Sequence, residues 1–129
     1  MKHAINRLTI AFVSLAILGC SGLQPKSTED WIGYTESGEA SFYANIHQFN
    51  KTASGERYNH SSRTAAHKEL PFGSNVRVTN VANGKSVIVK VNDRGPFVRG
   101  RIIDLSKSAF SSIANTSVGV ISVQIEVIE

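Results

Sequence analysis

A single cysteine, Cys20, excludes a disulfide within this 129-residue chain. Any folded domain must therefore be held by packing, which a domain of roughly 100 residues sustains without covalent bracing. Charge is sparse, with 19% charged residues and 14 basic against 10 acidic side chains. No basic run exists, and Arg94, Arg99 and Arg101 are interrupted by Gly95, Pro96 and Phe97. This excludes a nucleic-acid surface built on phosphate neutralisation. No glycine-rich phosphate loop or other cofactor motif is present. Beyond residue 20 the histidines are His47, His60 and His67, without the close spacing of a zinc site and with no cysteine near them. Neither a metal nor a cofactor is expected. The apolar stretch at residues 8–18 is too short to cross a bilayer. There is no internal repeat and no low-complexity segment.

That short stretch has another use. Lys2 and Arg7 precede it, and Gly19-Cys20 follows it directly. This order resembles a bacterial lipoprotein signal: residues 1–19 are expected to be cleaved and Cys20 to carry lipid. Each buried acyl CH₂ contributes about 0.8 kcal/mol, so several chains together anchor firmly. Ser21, rather than an aspartate, resembles lipoproteins passed to the outer membrane of Gram-negative bacteria, which implies an anchored protein on its periplasmic face. Residues 20–37 are polar and aperiodic apart from Trp31 and Tyr34, and are expected to form the lipidated tether.

From Gly38 the pattern becomes that of a β protein. Ala40, Phe42 and Ala44 alternate with Glu39, Ser41 and Tyr43, as in a half-buried strand. Residues 45–63 are polar and rich in Gly, Asn and Ser, as in a long loop. Residues 64–67 suit a short strand or turn, and Pro71 marks a turn. Strands are expected at residues 76–80 and 86–91, joined through Asn83-Gly84, a strong hairpin signal between β-branched runs. Residues 101–103 resume the strand pattern. Asp104 and Ser106 both suit a helix N-cap ahead of residues 106–114, with Ala109, Phe110 and Ile113 on one side. Ile121, Val123, Ile125 and Val127 alternate with polar residues, giving the clearest strand. Short, closely spaced strands with one or two short helices imply a mainly β fold, such as a small barrel over residues 38–129.

Three ionisable residues fall in the loops between these strands. Glu56 follows Gly55, His67 ends Thr64-Ala65-Ala66-His67, and Asp93 lies in Val91-Asn92-Asp93-Arg94-Gly95-Pro96-Phe97. Acids and an imidazole at strand ends are where a small β protein places proton-transfer chemistry on a glycan or similar polar polymer. Each also has a plain structural role open to it: a turn cap for Asp93, an exposed loop acid for Glu56, a satisfied buried imidazole for His67. Tyr43 and Tyr58 suit either sugar stacking or barrel packing. Asp104 is read as structural, capping the strand-to-helix turn.

The segments Gly38–Tyr43, Thr52–Tyr58, Thr64–His67, Val76–Asn80 and Val91–Phe97, together with Arg101-Ile102-Ile103-Asp104-Leu105-Ser106, resemble the rare lipoprotein A family over about residues 38–128. The resemblance implies a six-stranded double-psi β-barrel, a fold shared with expansins, and a lytic transglycosylase acting on peptidoglycan glycan strands stripped of peptides. It places the family's active-site acid, imidazole and second carboxylate on Glu56, His67 and Asp93. Thr52, Tyr43, Tyr58, Asn59 and Arg94 become candidate substrate contacts, and cell-division proteins candidate partners. Two departures stand out. Asn59 occupies the position of a family aspartate, and the sequence given ends at Glu129 without the sporulation-related repeat domain of many members. An asparagine keeps a hydrogen-bonding tip but cannot ionise. These departures sustain the alternative of an expansin-like module that binds peptidoglycan without cleaving it.

Lytic transglycosylation closes a 1,6-anhydro ring by attack of the muramic C6 hydroxyl on its own anomeric carbon. No water is activated and no enzyme nucleophile is needed, so one carboxyl group can serve as acid and then as base. Asp93, at the end of a strongly apolar strand, is the first choice for it. Glu56 is then the second carboxylate, and the reverse assignment stays open.

Overall fold

The computed structural model describes residues 27–129; the expected signal peptide, Cys20 and the first part of the expected tether lie outside the described residues. Six strands form a closed barrel: β1 (Thr35–Phe42), β2 (Thr64–Ala66), β3 (Asn75–Asn80), β4 (Ser86–Asp93), β5 (Arg101–Leu105) and β6 (Ile121–Val127). Their order around the barrel is β1-β5-β2-β4-β3-β6, closed by antiparallel pairing of β6 with β1. Two pairs, β1/β5 and β2/β4, run parallel, and the remaining pairs are antiparallel.

Inward-facing β-branched residues fill the barrel. Val76, Val78, Val87, Val89, Val91, Val123, Ile125 and Val127 are all buried, as the alternation in β3, β4 and β6 requires. The helix α1 (Lys107–Ile113) adds Ala109, Phe110 and Ile113 to this core. Phe110 packs on Phe42 with ring centroids 4.7 Å apart. The β3–β4 turn closes as its Asn-Gly step demands: Gly84 takes φ 73° and its N–H donates to the Asn80 carbonyl.

Both parallel pairs carry an irregularity. In β1/β5, Glu39 faces Arg101 and Ala40 faces Ile103, so Ile102 has no opposite residue. A Cβ on Gly38 would sit 2.6 Å from Ile102 Cγ2, which is why β1 needs glycine there. In β2/β4, Ala65 faces Val91 and Ala66 faces Asp93, leaving Asn92 unopposed. Such bulges break the two-residue period and re-aim the side chains that follow.

Three expectations are corrected. The barrel begins before Gly38: β1 starts at Thr35, Gly33 N–H donates to the Val127 carbonyl at 2.8 Å, and Trp31 packs against the core. The alternation expected over residues 40–44 fails, because Ala40 and Ser41 are both buried next to the bulge while Ala44 lies exposed beyond the strand. Ser106, not Asp104, caps α1, accepting from Ala109 N–H; Asp104 remains inside β5.

Candidate active site

Asp93 is placed by the β4 bulge. Val91 and Asn92 are both buried, and Asp93 emerges half-buried at the end of the strand. Three donors converge on its carboxyl group. Oδ1 accepts from the backbone N–H of Ala53 at 2.8 Å and of Arg94 at 2.9 Å. Oδ2 accepts from the Tyr43 hydroxyl at 2.6 Å. The donors come from three segments: the chain leaving β1, the 52–56 turn, and the residue after β4. All three are uncharged.

Tyr43 is secured as a donor. Burial pushes its hydroxyl far above the usual tyrosine range, and the hydrogen bond to Asp93 and the charges of Asp93 and Asp104 push the same way. Its ring stacks on Tyr58 with centroids 4.1 Å apart and meets His47 edge-on at 5.9 Å. Tyr58 is 1% exposed. Its hydroxyl lies 2.5 Å from His60 Nδ1 and accepts from Lys107 N–H at 3.1 Å. The pKa of His60 is lowered, first by burial and then by Lys107. Tyr58 is therefore the wall behind Tyr43, and the expectation that it contacts substrate is corrected.

Thr52 is likewise structural. It is buried, its hydroxyl donates to the Glu56 carbonyl at 2.7 Å, and its own N–H donates to the same oxygen. Gly55, at φ 91°, lets this turn close, and Ser54 N–H donates to the Asn92 carbonyl. Thr52 thus braces the turn that presents Ala53 N–H to Asp93. Glu56 points out to Lys90 Nζ at 3.2 Å, and both side chains are about half-exposed. It does not share a hydrogen bond with Asp93.

His67 follows β2 and is 4% exposed. Its backbone N–H donates to the Asp93 carbonyl at 3.1 Å. Its Nδ1 accepts from the N–H groups of Glu69 and Leu70, each at 3.1 Å, and its Nε2 lies 2.9 Å from Glu36 Oε1. Arg94 commits its guanidinium to the same turn: Nη1 donates to the carbonyls of His67 at 3.2 Å and Leu70 at 2.8 Å, and the group lies 4.0 Å from the Phe72 ring centroid. Arg94 is thus placed as a clamp beside Asp93. Asn59 Oδ1 accepts from Ser61 N–H at 2.8 Å, forming an Asx turn. An aspartate could accept the same bond.

The site thus joins Asp93 and Tyr43 directly, with His67 and Arg94 beside them in the backbone, and leaves Glu56 on the outer surface. Sequence reasoning missed the Ala53 N–H and Glu36. Glu36 precedes any apolar alternation, and the aromatic residues Trp31 and Tyr34 were the one hint that this segment belongs to the barrel. A second polar cluster was also missed. Asp104 accepts from Ser41 Oγ at 2.7 Å and pairs with Arg101, which also donates to Ser41.

Comparison with known proteins agrees with this fold. Residues 35–125 match the double-psi β-barrel family described as lytic transglycolase. The chain is 49% identical over 106 residues to the probable endolytic peptidoglycan transglycosylase RlpA of Nostoc sp., covering 81% of this chain and 29% of that protein. It is 54% identical over 96 residues to endolytic peptidoglycan transglycosylase RlpA of Vibrio cholerae, covering 74% and 36%. The chain thus spans about a third of the length of these curated relatives. Among solved structures, the Streptomyces papain inhibitor superposes with a TM-score of 0.63 at 25% identity, covering 76% of this chain and 97% of that one. The Clavibacter michiganensis expansin does so with 0.58 at 22% identity, over 74% and 51%, a likeness of fold alone. With the matched model running from β1 into β6 and the barrel closed as that fold requires, the chain belongs to the lytic transglycolase family of double-psi β-barrels.

Proposed function

We propose that this domain cleaves the bond between N-acetylmuramic acid and N-acetylglucosamine in peptidoglycan, leaving 1,6-anhydro ends, with Asp93 as the proton-transferring residue. The observation that carries this reading is the cradle of three neutral donors around a half-buried carboxyl group at a strand end. The proton of Asp93 passes to the departing 4-oxygen as the glycosidic bond breaks. The carboxylate then takes the proton of the C6 hydroxyl as that oxygen bonds to the anomeric carbon, and the catalyst returns to its starting state. Between the two transfers Asp93 is a carboxylate, the form its three donors are arranged to hold. The fixed orientation from Tyr43 and Ala53 keeps the carboxyl group in place through both steps. Glu56, outside the cradle, is assigned to contact with the glycan or its surroundings rather than to proton transfer.

Peptide-stripped strands are the proposed substrate, as the resemblance to the rare lipoprotein A family implies. The order of basic start, short apolar run and Cys20 supports anchoring by lipid on Cys20 at the periplasmic face of the outer membrane. Cell-division proteins are the proposed partners there. Replacing Cys20 with alanine should move the protein from the membrane to the soluble fraction.

The test is mass spectrometry of soluble products from intact and amidase-stripped peptidoglycan. Products ending in 1,6-anhydro-muramic acid, more abundant from stripped strands, are expected. A folded protein that sediments with the wall and releases nothing would make it a binding module.

A further inference from the structure

We infer that Glu36 is a positioning residue for Asp93, acting through His67 and the turn at residues 67–70. The inference rests on the reading of Asp93 as the proton-transferring group. Two backbone N–H groups, from Glu69 and Leu70, aim at His67 Nδ1. Only a lone pair can accept them, so the ring proton sits on Nε2 and is donated to Glu36 Oε1. Both nitrogens of this buried ring are then occupied. An imidazole that exchanges protons with a substrate needs a free nitrogen, and His67 has none.

What His67 does instead is shape the turn. The carbonyls of His67 and Leu70, the two ends of that turn, receive Arg94 Nη1. The backbone N–H of Arg94 is one of the three donors to Asp93, and the N–H of His67 itself holds the Asp93 carbonyl. A chain of hydrogen bonds therefore runs from Glu36 on β1 through the imidazole and the turn to both ends of residue 93. Remove the Glu36 acceptor and the buried Nε2–H loses its partner. Moving the proton to Nδ1 recovers none, because it would oppose the Glu69 and Leu70 N–H groups; the ring is left unsatisfied and the turn it holds loosens.

The experiment combines long-range ¹H–¹⁵N NMR of the His67 ring with turnover of soluble, peptide-free glycan strands. In the natural protein near neutral pH, His67 should show a single tautomer protonated at Nε2. In Glu36→Thr, which suits a strand but cannot reach the ring, the His67 ring, the Glu69 and Leu70 amides and the Arg94 side chain should shift. Its kcat should fall about tenfold to hundredfold with KM nearly unchanged, as expected when a reacting group is misplaced rather than lost. Glu36→Gln still offers an oxygen to Nε2–H and should restore most of the turnover. An Nδ1-protonated tautomer in the natural protein would overturn the inference, as would Glu36→Thr with unshifted signals or full turnover. If the natural protein released no product, the reading of Asp93 would fail, while the tautomer and the shifts would still decide whether Glu36 sets the turn.

Discussion

Asp93 and Asp104 occupy matching joints in the barrel and differ in the charge of what holds them. Each ends or nearly ends a strand of a bulged parallel pair, and each is half-buried. Each accepts a hydroxyl from β1 or the residue just after it, Tyr43 for Asp93 at 2.6 Å and Ser41 for Asp104 at 2.7 Å. Asp104 also faces the guanidinium of Arg101. Asp93 has only uncharged donors, because Arg94, its immediate neighbour, is tied to two carbonyls and a phenyl ring. A carboxylate paired with a fixed cation has its charge cancelled in place and works as a tie between strands. One held by neutral donors is oriented with its charge uncompensated, ready to respond to charge developing on a bound glycan.

Asp93→Asn should have the largest effect in breaking this contrast. Loss of the proton-transferring group should lower anhydro-product release by about 10³-fold or more, with the thermal midpoint little changed. Tyr43→Phe removes one neutral donor but keeps the stack on Tyr58, and should lower turnover by about 10²-fold, the scale of losing one preorganised donor. Arg101→Met acts on the other joint. It leaves Asp104 half-buried without its cation, and urea denaturation should show a loss of about 1.5–3 kcal/mol, the range for hydrogen bonds to charged groups. Product release per folded molecule should stay within a few-fold.

A smaller effect comes from His60, beneath the tyrosine stack. Its folded pKa lies below the ordinary histidine value of about 6.5 because burial and Lys107 disfavour its charged form. The unfolded chain therefore binds more protons, so stability should fall as pH drops through about 6.5 and level off below the folded pKa. His60→Gln should flatten that part of the stability curve. Glu56→Gln should matter least to stability, by no more than about 0.5 kcal/mol for so exposed an ion pair. Its effect on turnover should be far below that of Asp93→Asn.

How much of this was legible in the sequence depended on the range of the interaction. The β3–β4 hairpin was visible in Asn83-Gly84 between β-branched runs, β6 in its strict alternation, and α1 in Ala109, Phe110 and Ile113, because local periodicity and turn chemistry determine them. Asp93 was visible as an acid at a strand end. The first half of β1 was not, since Thr35, Glu36, Ser37 and Glu39 show no apolar period. Asp104 was mistaken for a cap because the residue that performs that task, Ser106, lies only two positions on. The partners that define the site could not be read at all: Tyr43 and Asp93 are 50 residues apart, and Glu36 and His67 are 31 apart. They meet only because the barrel closes. The role expected of Tyr58 changed for the same reason, since it backs Tyr43 and reaches Lys107 across the fold, whereas Thr52 braces its own turn.

The most direct test is to measure release of 1,6-anhydro-muramic products from stripped peptidoglycan by the natural protein, Asp93→Asn and Asp104→Asn side by side. Asp104→Asn should retain turnover within about threefold while Asp93→Asn falls by about 10³-fold. Equal losses in the two variants, or turnover surviving in Asp93→Asn, would contradict the account.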